Sequence, residues 1–171
     1  MKASEVLWIL DALTASDLKV WLDGGWGVDA LLETQTRDHE DVDLVVELQA
    51  IPNLIAALEP LSFSLAEDHL PTRAVLRTAD HRQVDLHPVT FAADGTAWQR
   101  GANPNGSDCP YPAGGFGEGR ILGQVVRCLT PAMQLEHHSG YVPKERDVAD
   151  MQHLARRFGL ALPESYRTGG I

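Results

Sequence analysis

The sequence predicts an α/β fold: a small mixed sheet flanked by helices, followed by a helical C-terminal portion. Apolar residues recur at helical spacing from Ser4 to about Ser16, whereas residues 39–47 combine a β-favouring apolar run with polar side chains at alternate positions. Strand-like and helix-like segments are interspersed up to a break near residue 130, after which only helical patterns remain. We therefore expect a sheet-based core over residues 1–130 and a helical portion over residues 131–171 packed on it.

Turn residues and short apolar runs place the other elements. Residues 90–120 are rich in Gly, Pro and Asn and predict a long irregular loop. Thr130 is expected to cap the helix that Pro131 opens. In chain order, we further expect a strand at Lys19–Leu22, a helix from Gly27, a helix with Pro52 in its first turn, two strands joined by a turn at Ala79–Arg82, a hairpin turning at Gly123-Gln124 and a last helix that ends at Gly159.

Composition and charge narrow the classes of function. With 171 residues, 44% hydrophobic and 22% charged, the chain has enough apolar side chains for one packed core. It lacks an apolar run of about 20 residues, so we expect no membrane span. The net charge of −10 argues against nucleic-acid binding and suits a cationic small molecule, although it also serves solubility. Cys109 and Cys128 lack metal-ligand spacing, which favours a reducing cytoplasm.

The stretch "RDHEDVDLVV" places charged residues at every second position of a predicted strand. In an extended chain such residues share one face, so Arg37, His39, Asp41 and Asp43 would point the same way. Asp41 and Asp43 would lie about 6.6 Å apart along that face. Carboxylates so placed suit Mg²⁺ bound together with substrate phosphates. The alternative is a solvent-facing side of the sheet.

A third acid strengthens the metal interpretation. Asp85 lies in "QVDLHPV", between Val84 and Leu86, so this strand would also have one apolar face and one face bearing Asp85 and His87. If the two acid-bearing strands pair, three carboxylates meet on one surface, which is costly without a counter-charge. Two metal ions would neutralise them and could clamp an in-line phosphoryl or nucleotidyl transfer.

Gly24 and Gly25 stand between a predicted strand and a predicted helix. A glycine pair there lets backbone N–H groups approach phosphates, and the helix N-terminus favours anions. A tight turn without a ligand is the simpler interpretation of the pair alone. The order of glycine pair, helix, D-x-D strand and Asp85 strand is more informative than any one motif.

The segments "DGGWGVDALL", "TRDHEDVDLVV" and "QVDLHPV" resemble the small antibiotic nucleotidyltransferases of the DNA polymerase β-like superfamily. The likeness is strongest to the lincosamide enzymes and next to the aminoglycoside 2″-type enzymes. It extends through "YPAGGFGEGRILGQVVRCLTP" and "HHSGYVPKERDVADM", and so covers residues 20–158. The resemblance implies transfer of a nucleoside monophosphate from a nucleoside triphosphate, ATP above all, to a hydroxyl of the drug, with two Mg²⁺ ions and release of pyrophosphate.

The resemblance also implies residue roles. Asp41 and Asp43 would bind the metals, and Asp85 would bind the second metal and act as the general base. Gly24 and Gly25 would contact phosphate through their backbone.

Three further residues are candidates for nucleotide binding. Arg37 could pair with phosphate oxygens or with a surface acid, and His39 could contact the nucleotide or form a structural hydrogen bond. Lys144 could reach the triphosphate or remain a plain surface lysine. Tyr111 could stack on a base or sugar, whereas Asp29 is expected to be a helix-surface charge or a charge that supports a helix cap.

Two other classes of function share parts of this pattern. A regulatory nucleotidyltransferase of the toxin–antitoxin type would use the same acids to modify a protein. A non-catalytic nucleotide- or drug-binding module would need only the pocket. The sequence leaves open which antibiotic is modified and whether the protein is a monomer or a homodimer.

Overall fold

The computed structural model describes residues 1–138 and 142–166. Residues 139–141 and 167–171 of the predicted helical portion lie outside the described residues. The described helices are α1 (Ala3–Ala15), α2 (Gly24–Leu32), α3 (Ile51–Leu58), α4 (Pro131–His137) and α5 (Glu145–Phe158). The described strands are β1 (Val20–Asp23), β2 (Asp41–Glu47), β3 (Ser64–His69), β4 (Arg73–Arg77), β5 (Gln83–Phe91), β6 (Ala97–Gln99), β7 (Cys109–Tyr111), β8 (Phe116–Ile121) and β9 (Gln124–Leu129).

The described strands form one open mixed sheet in the order β3-β4-β5-β2-β1-β9-β8. The strand pairs β1–β9 and β2–β5 are parallel, whereas β1–β2, β4–β5, β3–β4 and β8–β9 are antiparallel. Strand β6 joins β5 and β7 at the side of this path. The predicted α/β class with a mixed sheet is confirmed.

The two faces of the sheet bury different side chains. On one face, Val42, Leu44 and Val46 of β2 belong to the main core, to which apolar residues of α1, α2, α3 and α5 also contribute. On the other face, Val45 belongs to a smaller apolar cluster with side chains of β5, β6, β7, β9 and α4. Because strand side chains alternate, Asp41 and Asp43 share the face of Val45 and remain outside the main core.

Two parts of the sheet differ from the expectation. Strand β3, "SLAEDH", was not predicted because it is an edge strand, almost wholly exposed, and lacks apolar alternation. The segment 90–120 is not a single irregular loop, since it contains the end of β5, β6, β7 and most of β8. Strands of three residues that pair with distant partners leave little local signal.

Local boundaries were predicted more closely. Helix α5 ends at Gly159, whose φ of +67° closes the helix in the left-handed region, as expected. Thr130 precedes α4, but its hydroxyl makes no cap hydrogen bond and lies 3.4 Å from the Gly114 carbonyl oxygen instead.

The two helices after residue 130, α4 and α5, both contact α2. The division of the chain at residue 130 stays a prediction. None of the helices within the described ranges has the length and apolar character to cross a bilayer.

Candidate active site

Three aspartates lie side by side across the centre of the sheet. Asp43 of β2 is the register partner of Asp23 in β1 and of Asp85 in β5. Partners in register point to the same face, so the sheet brings together Asp43 and Asp85, as the sequence predicted. Asp23 was not predicted as a site residue. Its one local signal is its position at the end of a strand immediately before the glycine pair.

One ligand atom from each of Asp43, Asp85 and His87 lies within 4.8 Å of the others. His87 extends the predicted face of β5, and its Nε2 is 3.3 Å from Asp43 Oδ1. Burial alone would lower the pKa of His87, but the hydrogen bond and charge of Asp43, with the charges of Asp23 and Asp85, raise it above its ordinary value.

Asp41 lies on the same face at the start of β2, beside this compact group. Its Oδ2 is 3.5 Å from the Gln83 side-chain nitrogen. Burial raises the pKa of Asp41, and the charges of Asp43 and Asp85 raise it further. The carboxylates therefore repel one another, and a divalent cation bound among their oxygens would relieve that repulsion. The donor set fits the Mg²⁺ implied by the sequence.

Arg73 of β4 was not predicted, although it contacts Asp85 directly. Its Nε donates to Oδ1 at 2.8 Å and its Nη2 donates to Oδ2 at 2.5 Å. The side chain of Asp85 is only 9% exposed, so a forked guanidinium is its main counter-charge. Arg73 also reaches Glu67 of β3 at 3.2 Å, which anchors the guanidinium at the edge of the site.

The glycine pair begins helix α2, with Asp23 as its N-cap residue. The backbone N–H of Gly24 donates to Asp23 Oδ1 at 2.7 Å. A Cβ at Gly24, where φ is +57°, would lie 2.4 Å from Asp43 Oδ2, and a Cβ at Gly25 would lie 2.3 Å from His39 Nδ1. Only glycine therefore lets the first turn of α2 approach Asp43 and His39 this closely.

Arg37 and His39 precede β2, which begins at Asp41, so the predicted common strand face does not extend to them. The Arg37 guanidinium pairs with Asp150 of α5, with Nη2 2.9 Å from Oδ2. His39 is buried, and its Nε2 is 2.5 Å from Asp29 Oδ2. The expectation that Asp29 lies on the surface is wrong, because Asp29 is only 2% exposed and also accepts from the backbone N–H and hydroxyl of Thr36.

Lys144 lies at the surface, which agrees with one of its two expected roles, whereas Tyr111 has different surroundings from those expected. Lys144 is exposed at the N-terminus of α5, where its backbone N–H donates to Asp147 Oδ2 at 2.9 Å. The Tyr111 ring is 1% exposed and its hydroxyl donates to Gln99 Oε1 at 3.0 Å, so it is part of the wall rather than a free stacking surface.

Two cavities meet at the carboxylates. The larger, of about 700 Å³, is lined by Asp43, Arg73 and His87 together with residues 102–104 and 109–111 of the segment between β6 and β8. The smaller, of about 410 Å³, is lined by Gly25, Arg37, His39 and Asp41, among others. Gly24 and Asp43 line both cavities. Two different molecules could therefore approach the same carboxylates from two sides.

A sequence model described as aminoglycoside-2″-adenylyltransferase matches residues 5–154. The chain belongs to this family. Its membership confirms the resemblance and the prediction of a nucleotidyltransferase.

Relatives carry two kinds of name. A lincosamide resistance protein of Staphylococcus haemolyticus is 33% identical over 150 residues, which cover 88% of this chain and 92% of that protein. A 2″-aminoglycoside nucleotidyltransferase of Klebsiella pneumoniae is 33% identical over 131 residues, covering 75% of this chain and 69% of that protein.

Solved structures of the family share the fold. The lincomycin-bound lincosamide antibiotic adenylyltransferase LnuA superposes with a TM-score of 0.79 at 32% identity, covering 90% of this chain and 96% of that one. The enzyme ANT(2″)-Ia in complex with adenylyl-2″-tobramycin gives 0.71 at 21% identity, covering 91% and 88%. The second likeness concerns the fold alone.

Proposed function

We propose that this nucleotidyltransferase moves an adenylyl group from ATP to a hydroxyl of a lincosamide and releases pyrophosphate. The observation that carries the proposal is the meeting of two cavities at Asp43, within a cluster of carboxylates that suits divalent cations. The cavity beside the glycine pair would hold the triphosphate, and the larger cavity would hold the acceptor. The family implies a nucleoside triphosphate and a divalent metal, which we propose to be Mg²⁺.

Metal binding would fall to Asp41, Asp43 and Asp85, with His87 beside them. Two Mg²⁺ ions bound there would offset the charge that develops on the transferred phosphate. The backbone N–H groups of Gly24 and Gly25, at the N-terminus of α2, would approach phosphate oxygens. Arg37, His39 and Lys144 are the candidates for contact with the nucleotide. Arg37 pairs with Asp150 and His39 with Asp29 in the structure, so a contact with phosphate would have to be made beside these pairs or in their place.

Asp85 would accept the proton of the acceptor hydroxyl as that hydroxyl attacks the α-phosphate. Arg73 would hold this carboxylate in place until the acceptor arrives. The negative net charge of the protein favours an acceptor that carries an amine.

We choose a lincosamide because this chain matches more of the length of the lincosamide relative than of the aminoglycoside relative. The lincosamide resistance protein is matched over 92% of its length, whereas the aminoglycoside enzyme is matched over 69%. An aminoglycoside acceptor is the second candidate, because the family model carries that description. The cytoplasmic setting expected from the cysteines stays a prediction.

The test is to incubate the purified protein with Mg²⁺ and each nucleoside triphosphate, with lincomycin or tobramycin as acceptor. Mass spectrometry should find one added adenosine monophosphate on lincomycin. If only tobramycin gained mass, the proposed acceptor would be an aminoglycoside and not a lincosamide. Labelled nucleotide on a polypeptide would favour a regulatory enzyme. Nucleotide binding without pyrophosphate release would leave only a binding module.

A further inference from the structure

The larger cavity contains a second chemical arrangement, which lies beside the compact group of Asp43, Asp85 and His87. His137, the last residue of α4, has its Nδ1 3.1 Å from Asp23 Oδ2 and its Nε2 3.8 Å from Cys109 Sγ. All three residues line the cavity. A thiol, an imidazole and a carboxylate thus follow one another in the order that nucleophilic cysteine sites use.

The imidazole is held in place on several sides. The His137 side chain is 12% exposed and that of Asp23 is 10% exposed. The buried Tyr111 ring packs edge-on against the imidazole at a centroid distance of 4.6 Å. Because the imidazole is packed on these sides, its Nε2 stays directed at the Cys109 sulfur.

The hydrogen bonds determine what the imidazole can do. Since Asp23 accepts a hydrogen bond from Nδ1–H, Nε2 is the nitrogen available to take the thiol proton. Burial alone would lower the pKa of His137, but the hydrogen bonds and charges of Asp23 and Cys109 raise it to about 10. Burial would likewise raise the pKa of Asp23, but His137 outweighs it and lowers that pKa to about 2. At neutral pH the His137 imidazole is therefore cationic, and its Nε2 lies beside the Cys109 sulfur.

We propose that Cys109 is a reactive thiol and a covalent modification site for soft electrophiles and small disulfides, with His137 and Asp23 as its positioning residues. Cys128, the other cysteine, is fully buried in the main core and has no such neighbours among the described residues. The two thiols of the same chain should therefore differ sharply in reactivity.

The modification balances as an ordinary thiol–disulfide exchange. The Cys109 sulfur attacks one sulfur of a small disulfide, a new S–S bond forms and the old one breaks. Cys109 is oxidised to the mixed disulfide, while the other half of the reagent is reduced and leaves as a thiolate that takes the proton from His137. With an alkylating agent, an S–C bond forms and halide leaves. If the larger cavity holds the acceptor, as proposed above, the adduct would occupy that space.

The experiment measures the carbamidomethylation rate of each cysteine with iodoacetamide, by peptide mapping of the folded protein without nucleotide or drug. An ordinary thiol is only about 1% thiolate at pH 6.5. We expect Cys109 to react about 10-fold or more faster than free glutathione there, because the cationic imidazole of His137 lies 3.8 Å from its sulfur. Cys128 should react only on unfolding.

His137→Asn should bring the Cys109 rate down to that of glutathione, and Asp23→Asn should lower it partly. His138→Asn is the matched control, because Nδ1 of this adjacent histidine contacts the Gln134 carbonyl oxygen and not the thiol. An unchanged rate in His137→Asn, in a protein that circular dichroism shows to be folded, would overturn the proposal.

The wild-type protein gives a second readout that needs no variant. Its Cys109 rate should stay above that of free glutathione from about pH 6 to 8, because the cationic imidazole of His137 lies 3.8 Å from the attacking sulfur. The titratable groups that face the imidazole are Asp23, Cys109 and Tyr111, with His87 acting on Asp23. A rate that follows glutathione throughout would overturn the proposal. Neither readout depends on which reaction the enzyme catalyses.

Discussion

Arg73 holds both carboxylate oxygens of Asp85 in a forked ion pair, with Nε 2.8 Å from Oδ1 and Nη2 2.5 Å from Oδ2. The register of the sheet creates the contact, because β4 and β2 flank β5 on opposite sides. Asp85 therefore lies between a cation of β4 and the carboxylate of Asp43 in β2. The proposed general base and its counter-charge come from neighbouring strands.

Asp85→Asn should lower turnover by about 10²–10⁴-fold, the usual loss for a positioned base, while binding of ATP with Mg²⁺ survives. Arg73→Gln should also lower turnover, but only while Asp85 is present. The double variant should match Asp85→Asn in steady-state kinetics, because Arg73 acts through that carboxylate. If Asp85→Asn fails to bind nucleotide in calorimetry, Asp85 is structural to the metal site and the base lies elsewhere.

Asp41→Asn should abolish turnover and raise the melting temperature of the metal-free protein at pH 7. The pKa of Asp41 is raised in the folded state, so its ionisation costs stability at every pH above the ordinary value of 3.8. Differential scanning calorimetry in EDTA checks the sign. Glu47→Gln, at the exposed end of the same strand, is the control and should change neither property. A lower melting temperature in Asp41→Asn would contradict the repulsion argument.

Gly25→Ala should lower both the melting temperature and the affinity for ATP. The added Cβ would lie 2.3 Å from His39 Nδ1, and His39 cannot retreat because it is buried and bonded to Asp29. Gly114→Ala is the matched control, since a Cβ there meets no atom within 4 Å. Calorimetric titration with ATP should find equal affinities for wild type and control. If Gly25→Ala bound ATP with the same affinity as wild type, the first turn of α2 would have to be able to shift.

Arg37→Gln separates the two interpretations of Arg37. Asp150 is 2% exposed, so removing its partner should cost about 1–3 kcal/mol of unfolding free energy. Adding Asp150→Asn should restore part of that loss in urea denaturation. A variant that keeps its stability but binds ATP less tightly would instead support a direct phosphate contact.

The Asp23–His137 pair should make stability depend on pH in a defined direction. The pKa of His137 is raised to about 10, so its stabilisation is complete below its ordinary value of 6.5 and is lost as the pH rises to about 10. The pKa of Asp23 is lowered to about 2, so its contribution is complete above 3.8 and is lost as the pH falls towards 2. The wild-type protein should therefore melt at a higher temperature than His137→Asn, and this difference should be greatest between about pH 4 and 6.5. A difference that is constant from pH 6 to 10 would exclude the ion pair.

Local periodicity accounts for what could be predicted of the site. Residues two apart share a strand face, so the alternation in β2 and β5 was enough to identify Asp41, Asp43 and Asp85 as one surface. The same alternation could not reveal Arg73, because its strand was assigned without knowing which strand lay beside it. It also misjudged Arg37 and His39, since β2 begins only at Asp41.

The sequence by itself determined the α/β class, the acid-bearing strands, the glycine pair where β1 gives way to α2 and the end of α5, because each depends on a few adjacent residues. Only the tertiary structure decided which of the site residues contact one another. The order β4-β5-β2-β1 brings Arg73 to Asp85 and Asp23 to Asp43, and packing of α4 brings His137 to Asp23, 114 residues away. Such contacts depend on strand order and helix packing, which are set by burial of the whole core and leave no spacing to read along the chain.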